Sequence, residues 1–171
     1  SRQGEMYKID LFGFNRVAVA DAGSDARDIA VSQDGKWVIG GFYNPNHLVV
    51  CDAETMEPVK RIPTRTVNPD GQNVGSRVCS LYDVPGQSLF LAGLKEGGEV
   101  WLIDYSKTEG ENNFPVVATI DCGRILHDGF FTEDGRYFQI ASQGDNQIDV
   151  IDCEKQEHAA TIPMDTVPHP G

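Results

Sequence analysis

The tightest constraint on this chain is a short motif, apolar residues closing on aspartate, that recurs four times. It appears as Tyr7-Lys8-Ile9-Asp10, Val49-Val50-Cys51-Asp52, Trp101-Leu102-Ile103-Asp104 and Asp149-Val150-Ile151-Asp152. The aspartates stand 42, 52 and 48 residues apart. After each comes a polar turn and a second apolar segment, at residues 17–20, 59–62, 116–120 and 159–162. Two apolar runs joined by a turn read as a β-hairpin, so the chain predicts the same hairpin four times over.

A second motif precedes the first. Residues 28–31 lead through Gln33-Asp34-Gly35 into residues 36–40, and residues 129–131 lead through Glu133-Asp134-Gly135 into residues 136–141. A looser copy runs from residues 78–81 through Val84-Pro85-Gly86 into residues 88–92. Each Asp-Gly or Pro-Gly supplies the reversal that two paired strands need. Alternation rather than a 3.6-residue period dominates, which excludes a helical reading. Four strands in a unit of roughly 40 to 50 residues is the pattern of a β-propeller blade. The expected fold is therefore all-β: a half blade before about Gly23, then three nearly whole blades. Propellers typically close with 4 to 8 blades. Residues 1–171 thus read as part of a propeller domain, cut at both ends. Two longer polar stretches, residues 64–76 and 107–114, join blades or strands, and such loops commonly carry ligand contacts.

With 18 Gly and 9 Pro, the composition suits many short strands and turns. A formal charge of -12 sets the chain against nucleic acid or an anionic membrane surface, which most of its surface would repel. Cys51, Cys79, Cys122 and Cys153 stand too far apart for zinc or covalent-haem spacing and read as free thiols, with a disulfide left open. No apolar run is long enough for a membrane span, and Ser1-Arg2-Gln3-Gly4-Glu5 lacks signal-peptide features. Nucleophile elbow, P-loop and dinucleotide fingerprints are absent, and the Asp-Gly turns lack the other ligands of a calcium loop, so no residue is assigned to a metal.

Two histidines stand out. His127 lies in Gly123-Arg124-Ile125-Leu126-His127-Asp128-Gly129 at the start of an innermost strand, and His169 lies in Val167-Pro168-His169-Pro170-Gly171, just before the next such strand would begin. Equivalent positions of adjacent blades converge on the axis, where two imidazoles suit protonation of a small anion. The bland alternative, each histidine capping its own turn, weighs about equally. Arg27 holds the place in its blade that His127 holds in another; pairing with Asp25 or Asp28 is nearly as good an account of it. Arg2, in Ser1-Arg2-Gln3-Gly4 before a repeat aspartate, and Tyr43, after Gly40-Gly41-Phe42 at the end of a second strand, complete the candidate set, with Arg77 and Lys95 behind them. His47 and His158 read as solvent-exposed.

Taken together, these residues resemble the eight-bladed haem d1 domain of cytochrome cd1 nitrite reductase and its relatives. The likeness rests on Ala26-Arg27-Asp28-Ile29-Ala30, Gly40-Gly41-Phe42-Tyr43, Glu54-Thr55-Met56-Glu57-Pro58, Ser76-Arg77-Val78, Leu94-Lys95-Glu96, Ile125 to Gly129, Gly135-Arg136-Tyr137-Phe138 and Pro168 to Gly171. The resemblance implies haem d1 as cofactor, with His127 and His169 on its distal side, Arg2 and Arg27 neutralising its carboxylates and Tyr43 in the pocket. It implies one-electron reduction of nitrite to nitric oxide, with two protons delivered by the histidines and water released. It places the protein in the periplasm, with a c-type cytochrome or cupredoxin as electron donor, and allows a homodimer. Haem c and the proximal iron ligand are expected upstream of Ser1. Two alternatives stay open: a haem d1 maturation or carrier protein of the dihydro-haem d1 dehydrogenase kind, or a propeller scaffold without cofactor, in which the two histidines point apart. Keeping both histidines favours the reductase.

Overall fold

A computed structural model describes residues 3–169. Among them there are sixteen strands and no helix. β1 (Glu5–Asp10) and β2 (Asn15–Asp21) form a two-stranded antiparallel sheet. β3 (Ser24–Val31), β4 (Trp37–Asn44), β5 (Asn46–Asp52) and β6 (Pro58–Pro63) form the first four-stranded sheet. After a small hairpin of β7 (Arg65–Val67) and β8 (Asn73–Gly75), the second contains β9 (Val78–Asp83), β10 (Leu89–Leu94), β11 (Glu99–Asp104) and β12 (Val116–Asp121). The third contains β13 (Leu126–Phe131), β14 (Tyr137–Ser142), β15 (Gln147–Asp152) and β16 (Glu157–Pro163). Every sheet is an antiparallel meander in chain order. This is the half blade and three blades that the repeats predict.

The aspartates fix the turns. Asp52 accepts hydrogen bonds from the Glu54 and Thr55 amides, Asp152 from those of Glu154 and Lys155, and Asp10 from those of Phe12 and Gly13. In the other turn Asp34 and Asp134 each bind a hydroxyl, of Ser32 and Thr132, and the amide two residues on. Gly35, Gly86 and Gly135 follow at φ of 70° to 73°, a conformation that glycine adopts without steric penalty.

The middle strands show why the sheets stack. In β5, Leu48 and Val50 enter the core shared with the second four-stranded sheet, while Val49 and Cys51 enter the core shared with β1 and β2. In β11, Trp101 and Ile103 pack toward the first sheet, and Val100 and Leu102 toward the third. A strand covered on both faces must be apolar at every position, which is what these runs are. Close approach between blades also shapes the sequence: a Cβ on Gly41 of β4 would lie 2.8 Å from the Val78 side chain of β9.

Three expectations need correction. β3 begins at Ser24, so Arg27, expected just before the innermost strand, lies within it, whereas His127 stands at the start of β13 as expected. Residues 64–76, read as an irregular connection, carry the β7–β8 hairpin, with Arg65 paired to Gly75 and Val67 to Asn73. His47, expected at the surface, is only 2 % exposed. Its ring stacks on Phe42 at 5.0 Å, Nδ1 faces the Pro45 carbonyl, and Nε2 faces the Arg61 guanidinium and the Ala22 carbonyl. The cysteines are all free thiols; burial pushes Cys51 to about 11 and Cys79 and Cys153 to about 12.

Candidate functional site

Each innermost strand carries an extra residue near its start. In β3 the pairing shifts between Ala26 and Asp28, leaving Arg27 without a partner on β4. In β9, Val78 pairs with Leu94 and Ser80 with Gly93, which leaves Cys79 as the extra residue. In β13, Leu126 pairs with Ser142 and Gly129 with Ile140, so His127 and Asp128 together face one residue of β14. A β-bulge of this kind re-aims the side chain it carries. Two of the three bulges follow a left-handed residue, Asp25 at φ 58° and Ile125 at φ 53°. For a β-branched side chain that conformation costs about 1–2 kcal/mol.

The strands that carry the bulges are bound to one another. Ser80 Oγ donates to the His127 carbonyl at 3.0 Å, Tyr82 donates its hydroxyl to the Gly129 carbonyl at 2.7 Å, and the Leu81 amide donates to Asp28 Oδ2 at 2.7 Å. The backbone under His127 is therefore fixed from the neighbouring blade.

His127 and His169 meet. Their ring centroids lie 4.9 Å apart, with planes inclined at 46°. Between them is Asp128, whose Oδ2 is 3.2 Å from His127 Nδ1 and 3.5 Å from His169 Nε2. His127 Nδ1 is buried and makes no hydrogen bond, so the approach to Asp128 is an ion-pair distance without hydrogen-bond alignment. The segment bearing His169 is anchored by the buried Pro168, whose carbonyl accepts from Gln143 Nε2 at 3.2 Å. His169 itself is 61 % exposed at the side chain, so the pair opens outward. Asp28, the counterpart of Asp128 two blades away, is held above the usual carboxylate range by burial, with the charge of Asp128 adding to the effect.

Arg27 and Tyr43 form a second group. The Arg27 guanidinium lies 4.9 Å from the centre of the Tyr43 ring, and Arg77 lies 5.3 Å from the same ring. Arg27 also pairs with Asp25, Nε to Oδ1 at 3.0 Å, as the simpler reading of the sequence allowed, and Arg77 pairs with Glu96. Burial holds the Tyr43 phenol above its ordinary value against the pull of both arginines. Among the described residues no hydrogen bond or ion pair joins this group to the histidine pair. Arg2, assigned with them, lies outside the described residues. A cavity of about 1030 Å³ lies between the β7–β8 hairpin and the ends of β11 and β12; it shares only Tyr43 with the candidate set.

Two features of this region are not apparent from the sequence. Asp128 stands next to His127, but adjacency alone did not show that its carboxylate reaches both imidazoles. His158, exposed as expected, is nonetheless bound at 2.9 Å to Asp149, a carboxylate only 1 % exposed. Asp149 also accepts from Ser142 Oγ at 2.5 Å, Thr161 Oγ1 at 3.0 Å and the Gly123 amide at 2.8 Å, which ties down the approach to β13.

This architecture has known counterparts. A dihydro-heme d1 dehydrogenase of Pseudomonas aeruginosa is 34% identical over 172 residues, covering 100% of this chain and 33% of that protein. A nitrite reductase of Stutzerimonas stutzeri is 32% identical, covering 99% and 31%. The chain thus spans about a third of the length of these relatives. A solved structure of dihydro-heme d1 dehydrogenase NirN in complex with DHE matches with a TM-score of 0.80 at 34% identity, over 99% of this chain and 34% of that one. A chain of the mitotic checkpoint complex, at 16% identity and a TM-score of 0.78, shares the fold alone. All of residues 1–171 match the family described as the cytochrome D1 heme domain, and the chain belongs to that family.

Proposed function

We propose that this chain supplies the distal face of a haem d1 site, at which nitrite is reduced by one electron to nitric oxide. The observation that carries this reading is the convergence of His127 and His169 to 4.9 Å between ring centroids. The scaffold reading requires the two to point apart. The residues fit the cofactor: a buried, unbonded imidazole nitrogen at His127 and two guanidiniums gathered on Tyr43 suit a macrocycle that bears carboxylates. When bound, haem d1 supplies the iron and the electron for the reaction.

The chain's own residues supply protons and position. Conversion of nitrite, one electron and two protons to nitric oxide and water needs two donors beside one oxygen, and two imidazoles on one opening meet that need. Asp128 places a carboxylate within ion-pair distance of both rings, 3.2 Å from His127 Nδ1 and 3.5 Å from His169 Nε2. Arg27 and Arg77, each paired with a carboxylate, present guanidinium groups beside Tyr43 that could turn to an anionic substituent. Delivery of the electron by a small c-type cytochrome or cupredoxin, and a periplasmic location, belong to the same proposal.

A second reading has equal support from the relatives: similarity to the dihydro-heme d1 dehydrogenase favours action on the macrocycle itself, with the histidines accepting protons. Two assays on the full-length protein separate the readings. Loaded with haem d1 and given an electron donor, it should form nitric oxide from nitrite. His127→Ala or His169→Ala should lower turnover about 100-fold or more, within the range of a lost general acid, with the haem spectrum retained. Unchanged turnover in both variants refutes the reductase assignment, and oxidation of dihydro-haem d1 without nitrite turnover establishes the other.

A further inference from the structure

The three groups that meet at the distal opening have a property that proton delivery does not use. One ligand atom from each of His127, Asp128 and His169 lies within 4.8 Å of the other two. Two imidazoles and one carboxylate, with the remaining directions open, make a donor set that binds divalent transition metals at three positions and leaves others for solvent. We propose that His127, Asp128 and His169 form a divalent transition-metal site when the distal face is otherwise free.

The site is built before an ion arrives. His127 and Asp128 are fixed by the β13 bulge, and the His127 carbonyl is held by Ser80 Oγ. His169 follows Pro168, which is buried and bonded to Gln143. His127 Nδ1 has no hydrogen bond to give up, and the His169 side chain is 61 % exposed, so an ion has a path in. Nitrogen and oxygen donors of this kind suit Co(II), Ni(II), Zn(II) and Cu(II) better than Ca(II) or Mg(II), which prefer all-oxygen shells. The metal site does not depend on the haem d1 assignment. It has a consequence for that assignment, because an ion held by both histidines removes both proton donors.

The test uses the full-length protein without haem and Co(II) as probe. One equivalent should bind and give visible d–d absorption. His127→Ala, Asp128→Asn and His169→Ala should each weaken binding at least about 100-fold, the upper end of what even an outer-shell partner costs. His158→Ala, which removes the histidine paired with the buried Asp149, should leave it unchanged. Cu(II) in the unaltered protein should show two imidazole nitrogens by pulsed electron paramagnetic resonance, a readout that does not rely on any variant folding. Binding that survives any of the three ligand substitutions, or fewer than two imidazoles on Cu(II), overturns the proposal. Because no nitrite is present, failure here is distinct from failure of the reductase reading.

Discussion

Gly129, two residues beyond His127, offers a stringent test of how the scaffold holds the site. A Cβ at this position would lie 2.5 Å from Phe138 Cζ and 2.6 Å from the Gln139 carbonyl oxygen. Phe138 is fully buried, and the carbonyl belongs to β14, the partner strand, so neither can swing aside. To reach the 3.4 Å of ordinary contact, β13 must move by about 0.8 Å relative to Gln139. Overpacking of this kind costs about 1–3 kcal/mol. The same shift acts on His127, whose ring is 4.9 Å from that of His169, and a misplacement of about 1 Å typically costs roughly 100-fold in rate. Gly129→Ala in the full-length protein is therefore expected to lower the urea midpoint by the equivalent of about 1–3 kcal/mol. Haem-loaded protein should also lose roughly two orders of magnitude in nitrite turnover. Stability within about 0.5 kcal/mol of the parent, with unchanged turnover, would refute the claim that this glycine sets the position of the strand.

Three further outcomes follow from other parts of the structure. Asp149→Asn should destabilise the protein by about 2–4 kcal/mol in urea unfolding, since several donors lose a buried carboxylate. Burial alone would raise the Asp149 carboxyl, but hydrogen bonds from Ser142, Gly123, His158 and Gln147 hold it below the ordinary range. Its contribution is accordingly complete above about pH 4 and lost as pH falls through the lowered folded value, so the variant should lose less stability in that acid range. Tyr43→Ala should destabilise the protein by about 1–2 kcal/mol in urea unfolding, from two cation–π contacts of about 0.5–1 kcal/mol each, while Tyr43→Phe retains stability. Ile125→Asn should stabilise by about 1 kcal/mol, because asparagine tolerates the left-handed conformation that Ile125 adopts; a lower urea midpoint would count against strain there.

What was legible in the sequence was what local chemistry dictates. The Asp-Gly turns and the repeated aspartates bind their own neighbouring backbone, so four residues suffice to announce them. Apolar runs such as Leu89–Leu94 are buried at every position, the mark of a strand covered on both faces, which a reading by alternation does not capture. The bulges were not legible, because an extra residue in one strand is defined only against its partner: nothing in Val78-Cys79-Ser80 marks Cys79 as unpaired. His47 was misjudged for a related reason. Its Asn-Pro-Asn surroundings resemble a surface loop, yet Phe42, its partner across the β4–β5 hairpin, and the Ala22 carbonyl, 25 residues earlier, enclose it. The histidine pair came from repeat register and family likeness together, whereas the place of Asp128 between the rings required the third dimension.

The bulges also bear on how one backbone can serve different chemistries. Arg27, Cys79 and His127 occupy the same offset in three successive blades, yet a cation, a thiol and an imidazole have little else in common. Because the bulged residue is outside the ladder, its identity is uncoupled from strand pairing, and the registers on either side persist whichever side chain it bears. The three bulges are thus interchangeable positions, at which exchange of a single residue changes the chemistry presented while the fold beneath it stays the same.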